Sequence, residues 1–122
     1  MSLTLPTLLD GESQDDPYAW SSVFAAHAWI GLGPWGLIAI YIDMWTAAWL
    51  TPLLYLVAWE GLQFYIAKRR TWALFWDCLL DTVAVAFACY AAACVGHGLK
   101  IPAIMCWGAS VGVILAGWRA RQ

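Results

Sequence analysis

The sequence predicts an all-α, polytopic integral membrane protein that folds as a four-helix bundle with both termini cytoplasmic. Three observations support this prediction: the apolar composition, four long apolar stretches and the positions of the basic residues. The 122-residue chain is 63% hydrophobic and only 11% charged, and its mean hydropathy is +0.68. Soluble domains are about 45–50% apolar and about 25% charged, and small folds bury only about two-thirds of their surface. We therefore expect the surplus apolar surface to face lipid.

Residues 1–18 are predicted to form a short acidic N-terminal arm, and residues 19–122 are predicted to form the transmembrane bundle. The arm lacks the positively charged start and the small-residue cleavage site of a signal peptide, so we expect it to remain on the mature protein. Six basic and eight acidic residues give a net charge of −2. Because the chain has no basic tract, its composition argues against nucleic acid as a partner.

Four apolar stretches are long enough to cross a membrane. Crossing about 30 Å of hydrocarbon takes roughly 20 residues of helix, and the predicted spans are residues 19–42, 44–66, 71–95 and 101–118. All four are expected to be helical because lipid offers no hydrogen-bond partner to open backbone groups. The connections are Asp43, residues 67–70 and residues 96–100. Such short connections predict antiparallel helices that pack beside their neighbours in sequence.

The basic residues predict the orientation through the positive-inside rule. In a four-span bundle, five of the six fall on one side, namely Lys68, Arg69, Arg70, Arg119 and Arg121, whereas Lys100 falls on the other. We therefore expect a multi-pass protein of the bacterial inner membrane with both termini in the cytoplasm. Four of the ten tryptophans are predicted to lie at the membrane interfaces: Trp20, Trp45, Trp72 and Trp118.

Small residues in spans one and four predict local irregularity and close helix packing. The segment GLGPWG surrounds Pro34 with glycines and is expected to kink or loosen the first helix, because proline removes a backbone donor. Gly108 and Gly112 lie four residues apart, a spacing at which membrane helices approach closely.

The cysteines are expected to behave as small buried hydrophobes, with a Cys94–Cys106 disulfide as the alternative; they are Cys78, Cys89, Cys94 and Cys106.

Four ionisable side chains from three spans fall at one predicted depth. Glu60 precedes and Asp77 follows the basic connection by seven or eight residues, which places each about 10–12 Å from it at helical rise. His27 enters from the same side and reaches a similar level, and Asp81 lies one turn deeper than Asp77. These residues are therefore predicted to form a polar layer in the cytoplasmic half of the bilayer.

The acidic residues share helix faces that are predicted to point into the bundle. Glu60 and Gln63 are three residues apart and so lie on one face, which we expect to continue towards Leu56 and Leu53. The corresponding face of span three runs from acids into alanines: Asp77, Asp81, Ala84, Ala88 and Ala91. A face of this composition is typical of packing against other helices.

A charged side chain at mid-bilayer costs about 2.5–3.5 kcal/mol, so the carboxylates are expected to be paired, protonated or ligated. Arg70 is long enough to turn inward and pair with Asp77 on the same helix, and the acids are expected to share at least one proton. Two interpretations stay open. The polar residues either satisfy one another and set the helix register, or they form a functional site for protons, a cation or a lipid head group.

A pattern in spans one to three resembles that of a known family. His27 is followed by Glu60-x-x-Gln63, an arginine turn, and then Asp77-x-x-x-Asp81-Thr82. This order resembles the signature of the VanZ-like membrane family over roughly residues 27–84, although the family has asparagine and glycine where this chain has Asp81 and Ala84. The resemblance implies a cell-envelope protein, since family members are associated with resistance to glycopeptide antibiotics of the teicoplanin type. Related small proteins occur in phage genomes.

The first functional hypothesis is a VanZ-like protein whose acidic site engages a polar or phosphorylated lipid head group. Glu60, Asp77 and Asp81 offer oxygen ligands that suit a hard divalent cation such as Mg²⁺. Gln63 and Arg70 would then orient the ligand. His27 would relay a proton. Whether His27 and the three acids are catalytic stays open, because no serine or cysteine is evidently placed beside the histidine as a nucleophile.

Two further hypotheses stay open. A phage-type holin or other pore-forming oligomer needs a few spans, short charged ends and self-association, all of which this chain offers. An accessory subunit of a larger membrane complex would instead dock through glycine faces and aromatic side chains. No haem or iron–sulfur cofactor is expected, because the sequence contains no CxxCH motif and no histidine pair at ligand spacing within a helix.

Overall fold

The computed structural model describes residues 15–67 and 70–122, and over these ranges the chain contains helices and turns but no strand. The helices are α1 (Pro17–Ala39), α2 (Met44–Tyr55), α3 (Gly61–Ile66), α4 (Trp72–Gly96) and α5 (Lys100–Arg119). A π-helical turn, Leu56–Glu60, joins α2 to α3. Residues 1–14, which make up most of the predicted arm, lie outside the described residues, as do Lys68 and Arg69. Because α2, the π turn and α3 follow one another without a break, they form one long helical segment. The prediction of an all-helical, four-helix architecture is confirmed for the described residues.

Polar side chains cap the helices close to the predicted boundaries. The Asp16 carboxylate accepts from the Tyr18 amide at 3.0 Å, and α1 therefore begins two residues before the predicted start of span one. Asp43 accepts from the Thr46 hydroxyl at 2.5 Å and from the Thr46 amide at 2.9 Å. These two bonds hold the pKa of the Asp43 carboxyl below its usual value. Capping in this way satisfies amides that the first turn of a helix leaves unpaired.

The second helical segment is not the regular helix that the sequence predicts. It is helical from residue 44 to residue 66, but the amide of Gly61 donates to the carbonyl of Leu56, five residues back. This i→i+5 bond defines the π turn, and it changes which side chains share a face on either side of it. The predicted face through Leu53 is wrong for this reason, since Leu53 is 57% exposed. Thr51 and Tyr55 are buried instead.

Helix α4 lies at the centre of the bundle and packs against α1, α2 and α5. One stripe of buried positions runs along it: Leu74, Cys78, Asp81, Val85 and Cys89. The predicted acid-and-alanine face is thus correct at Asp81 and Ala84, which are buried, whereas Asp77 is only half-buried. All four cysteines are free thiols, so the alternative of a Cys94–Cys106 disulfide is not observed.

Contacts between aromatic rings identify the two ends of the bundle. Tyr18 contacts Trp118 edge-to-face with ring centroids 6.4 Å apart, which brings the start of α1 beside the end of α5. At the other end, Trp45 stacks on His97 with centroids 5.2 Å apart, which joins the start of α2 to the end of α4. His97 is predicted to be a solvated loop residue, and it is exposed but stacked.

Two sequence-based expectations about packing are wrong. Trp20 is only 4% exposed and packs on Phe24 with ring centroids 5.6 Å apart, so it is a core residue and does not belong to an interfacial belt. A Cβ at Gly108 or Gly112 would meet no described atom within 4 Å. Close approaches occur instead at Gly31, where a Cβ would lie 2.6 Å from Val85 Cγ1, and at Gly117 of α5, where it would overlap the Trp20 ring.

Helix α1 continues through Pro34 as a single helix. The predicted kink at this proline stays a prediction.

Three helices, α1, α4 and α5, are long and apolar enough to cross a membrane. In α5, only 6% of an apolar stretch of 18 residues is buried inside the protein, whereas 39% of the corresponding stretch of α4 is buried. Large apolar side chains on α5 are accordingly exposed, among them Ile101, Ile104, Met105, Trp107 and Leu115. A soluble protein rarely exposes so much contiguous apolar surface. The surface of α5 therefore supports the prediction of a membrane protein.

Candidate functional site

Three of the predicted site residues converge between α1, the π turn and α4. His27, Glu60 and Asp81 each place one potential ligand atom within 4.8 Å of the others. Glu60 is 1% exposed and Asp81 is 4% exposed. We refer to His27, Glu60 and Asp81 as the polar cluster. Their convergence means that the spacing of the three residues from the basic ends of their helices correctly predicted a common depth.

His27 and Asp81 join α1 to α4 across the cluster. Nδ1 of His27 lies 3.1 Å from Oδ1 of Asp81, which is within the reach of an ion pair. The angles do not make a regular hydrogen bond, however, and Nδ1 is buried with no hydrogen-bond partner among the described residues. The His27 ring also contacts the Tyr55 ring edge-to-face, with centroids 5.9 Å apart. The imidazole is thus held in place by packing rather than by a saturated hydrogen-bond network.

Glu60 enters the cluster because of the π turn. The Tyr55 hydroxyl donates to Oε1 of Glu60, although residues five apart in a regular α-helix point about 140° away from each other. The π turn, with its i→i+5 backbone bonding, brings this pair onto one side. The Cys78 thiol of α4 also interacts with the Glu60 carboxyl. Oε2 of Glu60 is buried and has no hydrogen-bond partner of regular geometry within the described ranges.

The other predicted site residues lie around the cluster. Asp77 is half-buried, and its charge acts on His27 and Cys78, but it does not belong to the group with ligand spacing. Gln63 is buried one turn beyond Glu60. Arg70 is exposed, donates to the Tyr65 carbonyl at 3.0 Å and lies over the Tyr65 ring. The predicted roles of Gln63 and Arg70 in orienting a ligand stay predictions.

An apolar groove of about 260 Å³ runs between α1 and α2 beside the cluster. Its lining residues are Ile30, Gly31, Pro34, Ile38, Thr51, Leu54, Tyr55 and Trp59, and we call it the α1–α2 groove. Tyr55 belongs to its wall and also donates to Glu60, so the groove and the polar cluster meet at this side chain. Thr51, in the same wall, has a buried hydroxyl without a partner in the described part of the chain.

Sequence reasoning missed Tyr55, Cys78 and Thr51. Tyr55 lies on the wrong side of Glu60 in a regular helix, so only knowledge of the π turn would have identified it. Cys78 was predicted to be a small hydrophobe, but its spacing of three residues from Asp81 places both on one helix face. That spacing was the available signal.

Comparison with known proteins gives no relative from which a role could be transferred. No protein-family model matches the chain, and no match was found among curated proteins or solved structures.

Proposed function

We propose that the chain is a small VanZ-like integral membrane protein of the bacterial inner membrane, which binds the polar head group of a membrane lipid at His27, Glu60 and Asp81. The observation that carries this proposal is the shared position of Tyr55, in the wall of the apolar groove and hydrogen-bonded to the buried Glu60. An amphiphile with its acyl chain in the groove would present its polar end to the cluster. Protons alone would not require the groove.

The size and chemistry of the groove support an acyl chain as its occupant. Its volume of about 260 Å³ is below the range of roughly 300–1,000 Å³ that accommodates drug-sized ligands, so it suits a short stretch of one hydrocarbon chain. The unpartnered hydroxyl of Thr51 would offer a hydrogen bond to an ester or hydroxyl group near the head. The groove also begins one helical turn from His27, at Ile30 and Gly31.

The proposed membrane arrangement has four spans and cytoplasmic termini. Besides the three helices that are long and apolar enough to cross a membrane, residues 44–66 form a continuous helical segment of about 35 Å at helical rise. The same end of the bundle contains the start of α1 and the end of α5. Arg119 and Arg121 lie at this end, and Lys100 lies at the other. The positive-inside rule then places the termini in the cytoplasm.

Lipid binding is tested by native mass spectrometry of the protein released from nanodiscs of phosphatidylethanolamine and phosphatidylglycerol. We expect one lipid to stay bound to the wild-type chain. Leu54→Trp fills the groove and should remove the bound lipid. Leu53→Trp is the matched control, because Leu53 is the neighbouring exposed leucine and does not line the groove. Glu60→Gln should weaken retention by changing the head-group end alone.

Equal retention of lipid by the Leu54→Trp and Leu53→Trp variants would contradict the proposal. The proposal would also be contradicted if the bound species were detergent carried over from purification. A control in which the bound lipid exchanges with isotopically labelled phosphatidylglycerol distinguishes lipid from detergent. Either result would leave the polar cluster as a structural element that sets helix register.

A homo-oligomer, including a holin-like pore, is the second candidate. The observation in its favour is the open space beside Gly108 and Gly112 on α5, where an added Cβ would meet no described atom within 4 Å. This small-residue face can accept another helix. Gly108→Leu would then disrupt the oligomer on native mass spectrometry, whereas Gly33→Leu, on an equally open glycine of α1, would not. Membrane permeabilisation that survives Glu60→Gln would favour the pore over the lipid-binding function.

A further inference from the structure

We infer that His27, Glu60 and Asp81 coordinate a divalent transition-metal ion of the Zn²⁺ class. The role of the ion depends on the proposed function, because the bound metal would receive a phosphate or other oxygen of the lipid head group. Three features favour coordination: the types of donor atom, their separations and the unpartnered Oε2 of Glu60.

The separations of the donor atoms fit a shared ion. Metal–ligand bonds of about 2.1 Å place neighbouring donors roughly 3.0–3.4 Å apart, for octahedral and tetrahedral angles respectively. Nδ1 of His27 and Oδ1 of Asp81 are 3.1 Å apart, and one carboxylate oxygen of Glu60 lies within 4.8 Å of a donor atom of each of these two residues. The third donor needs only a small side-chain movement to complete the site. The three donors come from three separate helical elements, α1, the π turn and α4.

Oε2 of Glu60 is buried without a hydrogen-bond partner among the described residues. Nδ1 of His27 makes no hydrogen bond of regular geometry there either, and it lies 3.1 Å from Oδ1 of Asp81. More than about 90% of buried polar groups in proteins are hydrogen-bonded, so the Glu60 oxygen calls for an explanation. A cation bound between the three side chains would give this oxygen a partner and would bridge His27 and Asp81.

The surroundings of the cluster resemble the outer shell of a metal site. Ligating carboxylates are commonly held by a hydrogen bond from a second residue, and the Tyr55 hydroxyl donates to Glu60 in this way. Three protein ligands also leave a coordination position for water or a substrate oxygen, as in catalytic zinc sites. A divalent ion would neutralise the two carboxylates in a region where net charge is costly.

The donor set favours a transition metal over Mg²⁺. The sequence suggests Glu60, Asp77 and Asp81 as oxygen ligands of a hard cation, but the group with ligand spacing contains His27 instead of Asp77. Imidazole nitrogen suits zinc and related metals, whereas Mg²⁺ prefers oxygen donors and retains several waters. Because one of the three donors is an imidazole, the cluster suits a metal that accepts nitrogen as well as oxygen ligands.

The test uses the full-length protein in detergent, treated with EDTA and then titrated with ZnCl₂ by calorimetry and with CoCl₂ by visible absorption. We expect one ion per chain and Co²⁺ d–d bands that report nitrogen and oxygen ligation. His27→Gln, Glu60→Gln and Asp81→Asn should each weaken binding by about 100-fold or more, exceeding the 10–100-fold loss typical of outer-shell changes. Tyr55→Phe should weaken binding within that 10–100-fold range.

His97→Gln is the matched control and should bind Zn²⁺ as the wild type does, because His97 lies at the other end of the bundle. Circular dichroism identifies variants that do not fold, and the graded effect of Tyr55→Phe keeps the inference testable if one ligand variant unfolds. Absence of binding, or affinity unchanged by all three ligand substitutions, would overturn the inference. A thiolate-to-cobalt band that disappears in Cys78→Ser and persists in His27→Gln would also overturn it, because the ion would then be bound by cysteine. Tighter binding of Mg²⁺ than of Zn²⁺ would also overturn the inference.

Measuring lipid retention on EDTA-treated and zinc-loaded protein separates this inference from the proposed function. Zinc binding without lipid retention would support the metal site and contradict the lipid-binding function. Lipid retention by a chain that binds no zinc would overturn the metal site alone.

Discussion

Burial of the Glu60 carboxyl is costly, because it is 1% exposed in a region that the sequence predicts to lie within the membrane. Its contacts are local and specific. The Tyr55 hydroxyl donates to one oxygen, the Cys78 thiol lies beside the carboxyl, and the other oxygen lacks a partner among the described residues. Among the residues that the structure describes, the Tyr55 hydroxyl therefore provides the one regular hydrogen bond to this carboxyl.

Tyr55→Phe is expected to destabilise the protein by about 1–3 kcal/mol, the usual cost of leaving a buried acceptor unsatisfied. The free energy of unfolding in mixed micelles measures this effect. Tyr41→Phe is the control, because Tyr41 is exposed at the end of α1 and its hydroxyl can reach solvent. Equal stability of the two variants would show that Glu60 does not need the tyrosine hydroxyl.

Gly31 permits the close approach of α1 to α4. Gly31→Ala places a Cβ 2.6 Å from Val85 Cγ1, and overpacking of this kind costs about 1–3 kcal/mol. Gly33→Ala, two residues away with open space around it, should be neutral or stabilising by up to about 1 kcal/mol, because alanine favours helix. Chemical unfolding of both variants tests the contrast. Val85→Ala should partly restore stability to the Gly31→Ala chain, and failure to do so would place the strain elsewhere.

The π turn is the element that assembles the polar cluster. A π turn contains one residue more than the α-helical turn it replaces, and here it aligns Tyr55 with Glu60. In a chain shortened by one residue in this turn, the two would be four apart and would share a face of a regular α-helix. The position of Glu60 therefore depends on how many residues separate it from Tyr55.

Deletion of Ala58, an exposed residue of the π turn, is expected to keep both the helical content and the Tyr55–Glu60 contact. Insertion of one alanine after Ala58 should rotate Glu60 by a further 100° or so and disrupt the cluster. Circular dichroism and thermal unfolding in detergent compare the two variants. If the deletion is as disruptive as the insertion, the π turn is needed for more than the alignment of these two side chains.

The cap of α2 provides a pH-dependent contribution to stability. Hydrogen bonds from Thr46 lower the pKa of Asp43 below its ordinary value of 3.8, so the folded state favours the ionised form. This contribution is complete above the ordinary pKa and is lost as the pH falls through the lowered one. Asp43→Ala should therefore lower the midpoint of thermal unfolding at neutral pH, and its difference from wild type should shrink in strong acid. Asp43→Asn should retain the cap, and a pH-independent difference between wild type and Asp43→Ala would contradict this account.

At the scale of the whole molecule, the chain returns to its starting end. Arg121 lies over the Trp20 ring with its guanidinium carbon 4.2 Å from the ring centroid, and Tyr18 contacts Trp118. The start of α1 and the end of α5 therefore lie at the same end of the bundle. Its two ends differ in charge, because Lys100 lies at the opposite end from the arginines of the C-terminal segment.

A C-terminal fusion to green fluorescent protein is expected to fluoresce in bacteria, and a C-terminal alkaline phosphatase fusion is expected to be inactive, because both report a cytoplasmic C-terminus. Fusions truncated after Lys100 should give the opposite pair of results. An active phosphatase on the full-length chain would reverse the proposed orientation.

The sequence by itself determined the number, length and boundaries of the helices to within three residues, because apolar run length and capping residues are local properties. It also determined a common depth for His27, Glu60 and Asp81, since distance from a basic helix end is a count of residues. Only the tertiary structure decided which side chains touch. The π turn rotated Tyr55 into the cluster and Leu53 out of the core, and packing of α4 buried Asp81 more deeply than Asp77. The rotation of a helix about its own axis depends on its contacts with distant parts of the chain. The periodicity of one segment carries no information about those contacts.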